Sequence, residues 1–115
     1  MTKMKLVPSV AEEVGNSRLR QRIGRHRVHT LQPDLSRCGG LTVGKQIADF
    51  AMRHQFECVP HAWLTDLLKA ASLHLNAYLM NALYLEYNVS SASLLNQLCL
   101  NPIRMVDGYI PIPDG

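Results

Sequence analysis

No apolar run in this 115-residue chain reaches the ~18 residues that a membrane-spanning helix needs. Met1 to Val10 carries Lys3 and Lys5, but Pro8 interrupts it and no long apolar stretch follows. That is a poor secretory signal, so the cytoplasm is the expected address. Cysteine is scarce: Cys38, Cys58 and Cys99 make an odd count, without metal-type spacing. Free thiols in a reducing compartment fit this better than a disulfide framework. Aromatic residues are only 6% of the chain, whereas apolar residues are 47% and charged residues 18%. This is ordinary globular composition, and the length allows one small domain but not two large ones.

The net charge of +3 is unevenly spread. Residues 1–37 hold eight Lys/Arg against three acids, and the remainder holds four Lys/Arg against six acids. Arg18, Arg22 and Arg25 share one helical face inside the run from Arg18 to Arg27, which invites a nucleic-acid reading. The cluster has no aromatic residue to stack a base, no zinc-finger spacing and no helix-turn-helix pattern around it. A solvated helix is the better reading, and no nucleic-acid or membrane partner is expected.

The chain alternates between two periods. Leu6 to Ala11 is a short apolar run that predicts a buried strand, and residues 17–24 predict a short helix. Val28 to Gln32 alternates and predicts a second strand. Gly39-Gly40 punctuates the loop after it. Thr42 is placed to cap a helix whose apolar stripe is Val43, Ile47, Phe50 and Ala51. Phe56 to Val59 predicts a third strand, closed by Pro60. Thr65 starts a longer helix, with Leu67, Leu68, Ala71, Leu75, Tyr78 and Leu79 on its apolar side. Ala82 to Tyr87 predicts a fourth strand, Ser90 or Ser91 caps a short helix, and the tail is extended around an Asp-Gly turn. Such alternation implies parallel strands joined by right-handed crossovers. Four strands cannot close a barrel, so two sheet edges would stay open.

A chemically capable side chain follows each strand closely: Glu12 and Glu13, then Asp34, then His61, with Glu86 at the end of the fourth. Each interval is about one strand-helix unit, so these side chains should gather at equivalent strand ends. In barrels of parallel strands, catalytic residues collect at the carboxyl ends. His26, His29 and His54 have no partner pattern. His74, beside an apolar stripe, reads as a packed or capping histidine, Cys38 as inert, and Glu57 and Asp66 as solvated charges.

Five stretches occur in order: Gln32-Pro-Asp-Leu-Ser-Arg-Cys-Gly-Gly-Leu-Thr42, Val59-Pro-His-Ala-Trp63, Ala70-Ala-Ser-Leu-His74, Leu85-Glu-Tyr87 and Val106-Asp-Gly-Tyr-Ile-Pro-Ile-Pro-Asp114. Together they resemble the C-terminal part of the enolase superfamily, in its mandelate racemase and acid-sugar dehydratase branch. The resemblance covers nearly the whole chain from about residue 6.

The resemblance implies an α/β fold: the last four strands of a (β/α)7β TIM-like barrel with their crossover helices, followed by a C-terminal segment. Residues 1–89 would be the barrel portion, and 90–115 the segment that returns to an N-terminal capping domain. It also implies roles. Asp34 would orient His61, fixing its tautomer, and His61 would remove the proton next to a substrate carboxylate. Glu86 would hydrogen-bond the developing enediolate oxygen. Glu12, with Glu13 as the neighbouring alternative, would be one of three acidic magnesium ligands, the other two lying on strands outside this sequence. Trp63 could line the substrate pocket or simply pack. The Asp/His pair argues against the muconate-lactonising branch, which has a Lys at the sixth strand.

The implied function is that of a magnesium-dependent racemase or dehydratase of a hydroxy acid, with dehydration of a sugar acid preferred. The alternative is a truncated remnant with inherited but idle residues. In either case this chain alone is expected to lack tight magnesium binding. Its open sheet edges are expected to drive self-association. Sedimentation of the isolated chain should show dimers or aggregates; a monodisperse monomer with a sharp cooperative thermal transition would contradict this.

Overall fold

The computed structural model describes residues 30–80, 82, 84–88 and 98–113. Four elements occur in the order β1 (Thr30–Leu31), α1 (Gly40–Arg53), β2 (Glu57–Cys58) and α2 (Asp66–Tyr78). The two strands are parallel, as the alternation predicts, with Thr30 opposite Glu57 and Leu31 opposite Cys58. Further along, Asp34 bridges His61 in the same sense.

β1 ends at Leu31, one residue before the predicted end at Gln32, and β2 is one residue shorter at each end than the run from Phe56 to Val59; Val28 and His29 lie outside the described residues. Pro33 accepts a bond from the His61 N–H at 3.0 Å. It has no N–H to return, so the ladder is interrupted there. In the same register Pro33 stands opposite Pro60, and both are buried. The pairing therefore survives past β1 and β2 only as the Val59 N–H to Leu31 carbonyl bond, at 2.9 Å, and the Asp34–His61 bridge.

Helix α1 begins earlier than expected. Its N-cap is Gly39, not Thr42. Gly39 and Gly40 have φ of 112° and 79°, which only glycine adopts without strain, so the chain turns sharply into the helix here. Residues 35–39 form the turn between Asp34 and α1. Helix α2 starts where predicted: Thr65 caps it, its hydroxyl accepting from the Leu68 N–H at 3.1 Å.

The core is one cluster built from Leu31, Leu35, Cys38, Ala48, Phe50, Ala51, Cys58, Leu68, Leu75 and Leu79, with Val43, Ile47 and Ala71 packed against it. Two residues of the expected α2 stripe lie elsewhere. Leu67 and Tyr78 are exposed. The Tyr78 hydroxyl instead donates to Asp49 at 2.6 Å across to α1, and Lys45 lies 4.5 Å over its ring. The buried face of α2 runs through Asp66, Leu68, Lys69, Ser72, Leu73 and Leu75. Asp66, expected in solvent, is 1% exposed and ion-paired with Lys69. His74, expected to pack or cap, is exposed.

The fourth predicted strand does not form among the described residues: 84–88 run in no regular strand. The Tyr84 carbonyl is taken by the Asn76 side chain, at 3.0 Å, instead of by a neighbouring strand. The Asp-Gly turn is present, with Val106 and Tyr109 bridged antiparallel and φ positive at Asp107 and Gly108, as a tight hairpin turn requires. The predicted strand over 6–11, the helix over 17–24, the arginine cluster, His26, His29, and the caps Ser90 and Ser91 lie outside the described residues. Among the described residues no helix is long and apolar enough to cross a membrane.

Gly44 lies where α1 passes closest to the turn after β1. A Cβ there would sit 2.2 Å from Leu35 Cδ2 and 3.3 Å from Leu75 Cδ2. Both neighbours belong to the core and cannot retreat without opening it. Gly44→Ala should therefore destabilise the chain by about 1–3 kcal/mol, despite alanine's better helix propensity, as read from the midpoint of urea unfolding. Thr65→Ala should cost about 1 kcal/mol through loss of the cap.

Candidate active site

Asp34 and His61 lie at the same end of β1 and β2, one residue beyond each proline. Residues opposite one another in a parallel pair project to the same face. The bridge therefore sets the two side chains beside each other, and His61 Nδ1 lies 3.1 Å from Asp34 Oδ2. The Asp34 side chain is 3% exposed and that of His61 31%, so the carboxylate is the buried anchor and the imidazole reaches the surface.

The turn after β1 locks the aspartate further. Ser36 donates both its N–H, at 2.9 Å, and its hydroxyl to Asp34 Oδ1. This is an Asx turn, in which a carboxylate bonds the backbone two residues on. Asp34 thus spends one oxygen on its own turn and the other on His61. Its backbone carbonyl accepts from the N–H groups of Arg37 and Cys38, at 3.0 and 2.8 Å. Ser36 was not singled out from sequence, although Asp-x-Ser is the sequence form of this turn.

Burial acts most strongly on the Asp34 carboxyl and pushes its pKa up. The hydroxyl and N–H of Ser36, with the hydrogen bond and charge of His61, together outweigh it and hold the pKa below the ordinary 3.8. The neighbouring Cys38 thiol is pushed up, first by burial and then by the Asp34 charge. A thiol so placed is a poor nucleophile, in keeping with its expected inertness.

Glu86 arrives from the third direction. Its Oε2 lies 3.7 Å from His61 Nε2 and accepts from the Ala62 N–H at 3.4 Å. The imidazole is therefore flanked by a carboxylate on each nitrogen. Trp63 stacks on it at a 6.2 Å centroid distance and 17° between planes, and is 54% exposed. Asn88 Nδ2 donates to the Trp63 carbonyl at 2.9 Å. The structure thus brings together four of the residues picked out from sequence, Asp34, His61, Trp63 and Glu86. Glu12 and Glu13 lie outside the described residues.

Magnesium wants an octahedral array of hard oxygen donors. Among the described residues no group of three or more His, Cys, Asp or Glu could hold a metal ion. The described part of the site does not by itself fit that ion.

A strand-end Asp/His pair with an acid beside it is the arrangement expected of one superfamily, and comparison with known proteins agrees. Residues 10–115 match the family model described as enolase C-terminal domain-like. The chain belongs to the enolase superfamily. It is 32% identical over 96 residues to the D-galactarolactone cycloisomerase of Agrobacterium fabrum, covering 76% of this chain and 25% of that protein. Among solved structures it resembles the 3,6-anhydro-D-galactonate cycloisomerase from Zobellia galactanivorans, with 32% identity and a TM-score of 0.68, over 75% of this chain and 24% of that one. It also resembles a mandelate racemase/muconate lactonizing enzyme from a Sulfitobacter species, with 28% identity and a TM-score of 0.74, over 88% of this chain and 25% of that one. The chain spans about a quarter of the length of these enolase-superfamily relatives.

The depressed pKa of Asp34 has a sign that can be tested. A carboxylate more acidic in the folded than in the unfolded chain contributes stability that is complete above the unfolded value of about 3.8. That contribution drains away as pH falls through the lower, folded value. Urea unfolding followed from pH 7 down to pH 2.5 should show stability falling steeply below about pH 4. Asp34→Asn, which keeps the shape, should flatten that part of the curve.

Proposed function

We propose that this chain is the C-terminal barrel portion of an enzyme that removes the proton next to the carboxylate of a sugar acid. The observation that carries this reading is the placement of His61, with Nδ1 against buried Asp34 and Nε2 near Glu86. With the proton on Nδ1 donated to Asp34, Nε2 holds the free lone pair and is the base. When Nε2 takes up the substrate proton, the buried Asp34 carboxylate on Nδ1 stabilises the imidazolium. Glu86 would hydrogen-bond the oxygen on which enediolate charge develops. Trp63 offers a flat apolar face beside the base, suited to the C–H face of a sugar.

Loss of the proton from the carbon next to the carboxylate prepares loss of the oxygen on the following carbon. The C–H electron pair forms the new C=C bond, the C–O bond breaks, and the leaving oxygen is protonated. If that oxygen is a free hydroxyl, the reaction is a dehydration, the preferred outcome. If it belongs to a ring, the ring opens and the product is an isomer of the substrate. This second reading is favoured by 32% identity to proteins named as cycloisomerases of galactose-derived acids. Both use the same base at the same carbon.

In this proposal residues 1–89 supply the last barrel strands, and 90–115 the segment that returns toward a capping domain. Glu12 would be the one magnesium ligand that the chain contributes, and the ion, when bound, would draw charge from the substrate carboxylate. The 115-residue chain alone is then expected to be inactive.

The test follows exchange of the substrate α-hydrogen with solvent deuterium by NMR, across a panel of sugar acids. In a longer protein carrying this segment, His61→Asn should lower exchange by about 10²–10⁴-fold while substrate binding is largely kept. Asp34→Asn should weaken exchange strongly by freeing the tautomer. The 115-residue chain alone should show neither exchange nor tight magnesium binding by calorimetry. Undiminished exchange in His61→Asn would remove the histidine from the reaction.

A further inference from the structure

Glu86 reaches the site from a segment that runs in no strand, yet its carboxylate meets both the Ala62 N–H and His61. Side chains tie down its neighbours. Asn76 holds the Tyr84 carbonyl at 3.0 Å, and Lys69 Nζ lies 4.7 Å over the ring of Tyr87. Lys69 and Asn76, seven residues apart, lie on one face of α2.

Lys69 is an unusual choice for that place. It is 5% exposed, and its ammonium is bonded at 2.7 Å to Asp66, itself 1% exposed. A buried ion pair is costly to desolvate, and an uncharged pair of similar size often serves stability as well. Asp66 occupies the first turn of α2, where the helix dipole favours a negative charge. Its second oxygen, Oδ2, finds no hydrogen-bond donor among the described residues. The pair is thus a poor stabiliser in its own right, and its ammonium is aimed at the residue next to Glu86.

We propose that Lys69, held in place by Asp66, is a positioning residue for Glu86. The ammonium fixes the Tyr87 ring by a cation–π contact. That fixes the backbone one residue earlier, and so sets the Glu86 carboxylate against the Ala62 N–H and His61 Nε2. The ion pair takes over the work that a ladder of backbone bonds does for Asp34 and His61. The inference rests on the reading of Glu86 as a group of the active site. Its test follows where the carboxylate sits and not the reaction, so the two can fail separately.

The informative variant is the double substitution Asp66→Asn with Lys69→Met, which removes both charges and leaves none unpaired. In a longer protein carrying this segment, amide hydrogen exchange compares Ala62 with the core α2 amides of Leu73 and Leu75. Exchange at Ala62 should rise about ten- to hundredfold, as for a lost hydrogen bond to a charged acceptor. The α2 amides should stay within about twofold, because a neutral replacement of a buried pair costs little. Glu86→Ala, which removes the acceptor, should give the same rise at Ala62. An unchanged Ala62 rate in the double variant would overturn the proposal, as would equal acceleration of all amides. If the double variant does not fold, Tyr87→Leu removes the contact from the other side and should raise Ala62 exchange similarly. No rise there would overturn the proposal equally.

Discussion

A constant register of 27 residues governs this structure. Thr30 stands opposite Glu57, Leu31 opposite Cys58 and Asp34 opposite His61, so the turn, α1 and the return to β2 all fit inside one fixed interval. The parallel pairing carries few backbone bonds, because Pro33 has no N–H to return to β2. What keeps the register is the core on one side, where Leu31, Cys58, Ala48 and Ala51 are buried together. At the other end the carboxylate–imidazole pair closes it. A slip of one residue in β2 would turn His61 to the opposite face of the pair, leave Asp34 buried without its partner and turn Cys58 out of the core. The chemistry and the fold are thus secured by the same alignment.

The three functional side chains are held by three different means. Asp34 is immobilised by its own turn, with both oxygens and its carbonyl engaged. His61 is held by backbone pairing and by Asp34, and keeps an exposed edge. Glu86 hangs from side chains on a helix. This order, from most to least constrained, suits the roles proposed for the three groups: an orienting anion held still and a base with an edge open to substrate.

Much of this was legible in the residues. The 27-residue spacing from Asp34 to His61 was visible because a strand-helix unit has a nearly fixed length, and Thr65 announced the start of α2 as a cap. The end of β1 was not legible, because apolar alternation at Val28 to Gln32 does not show that the side of Pro33 without an N–H faces β2. The cap of α1 was misplaced because a threonine cap is the commoner pattern, whereas here two glycines in left-handed conformation let the helix begin earlier. Asp66 reads from sequence as a solvent-facing charge. Charge alone cannot show that a helix face lies under another segment, and only the spacing of three between Asp66 and Lys69 hints that they pair. Leu67 and Tyr78 were drawn into the core by hydropathy, though the face carrying Ser72 and Leu73 is the one covered.

The two cysteines of the core give this arrangement an internal clock. Cys58 lies within β2, with its thiol pushed up to about 12 by burial, and Cys38 lies in the turn that locks Asp34, raised by burial and by the carboxylate beside it. Neither presents a thiolate near neutral pH while the strands stay paired. An alkylating reagent can reach them only during the moments when the pairing opens, Cys58 reporting on the strand and Cys38 on the turn. Their rates of modification separate two kinds of breathing, the parting of the strands and the loosening of the loop that aims the aspartate.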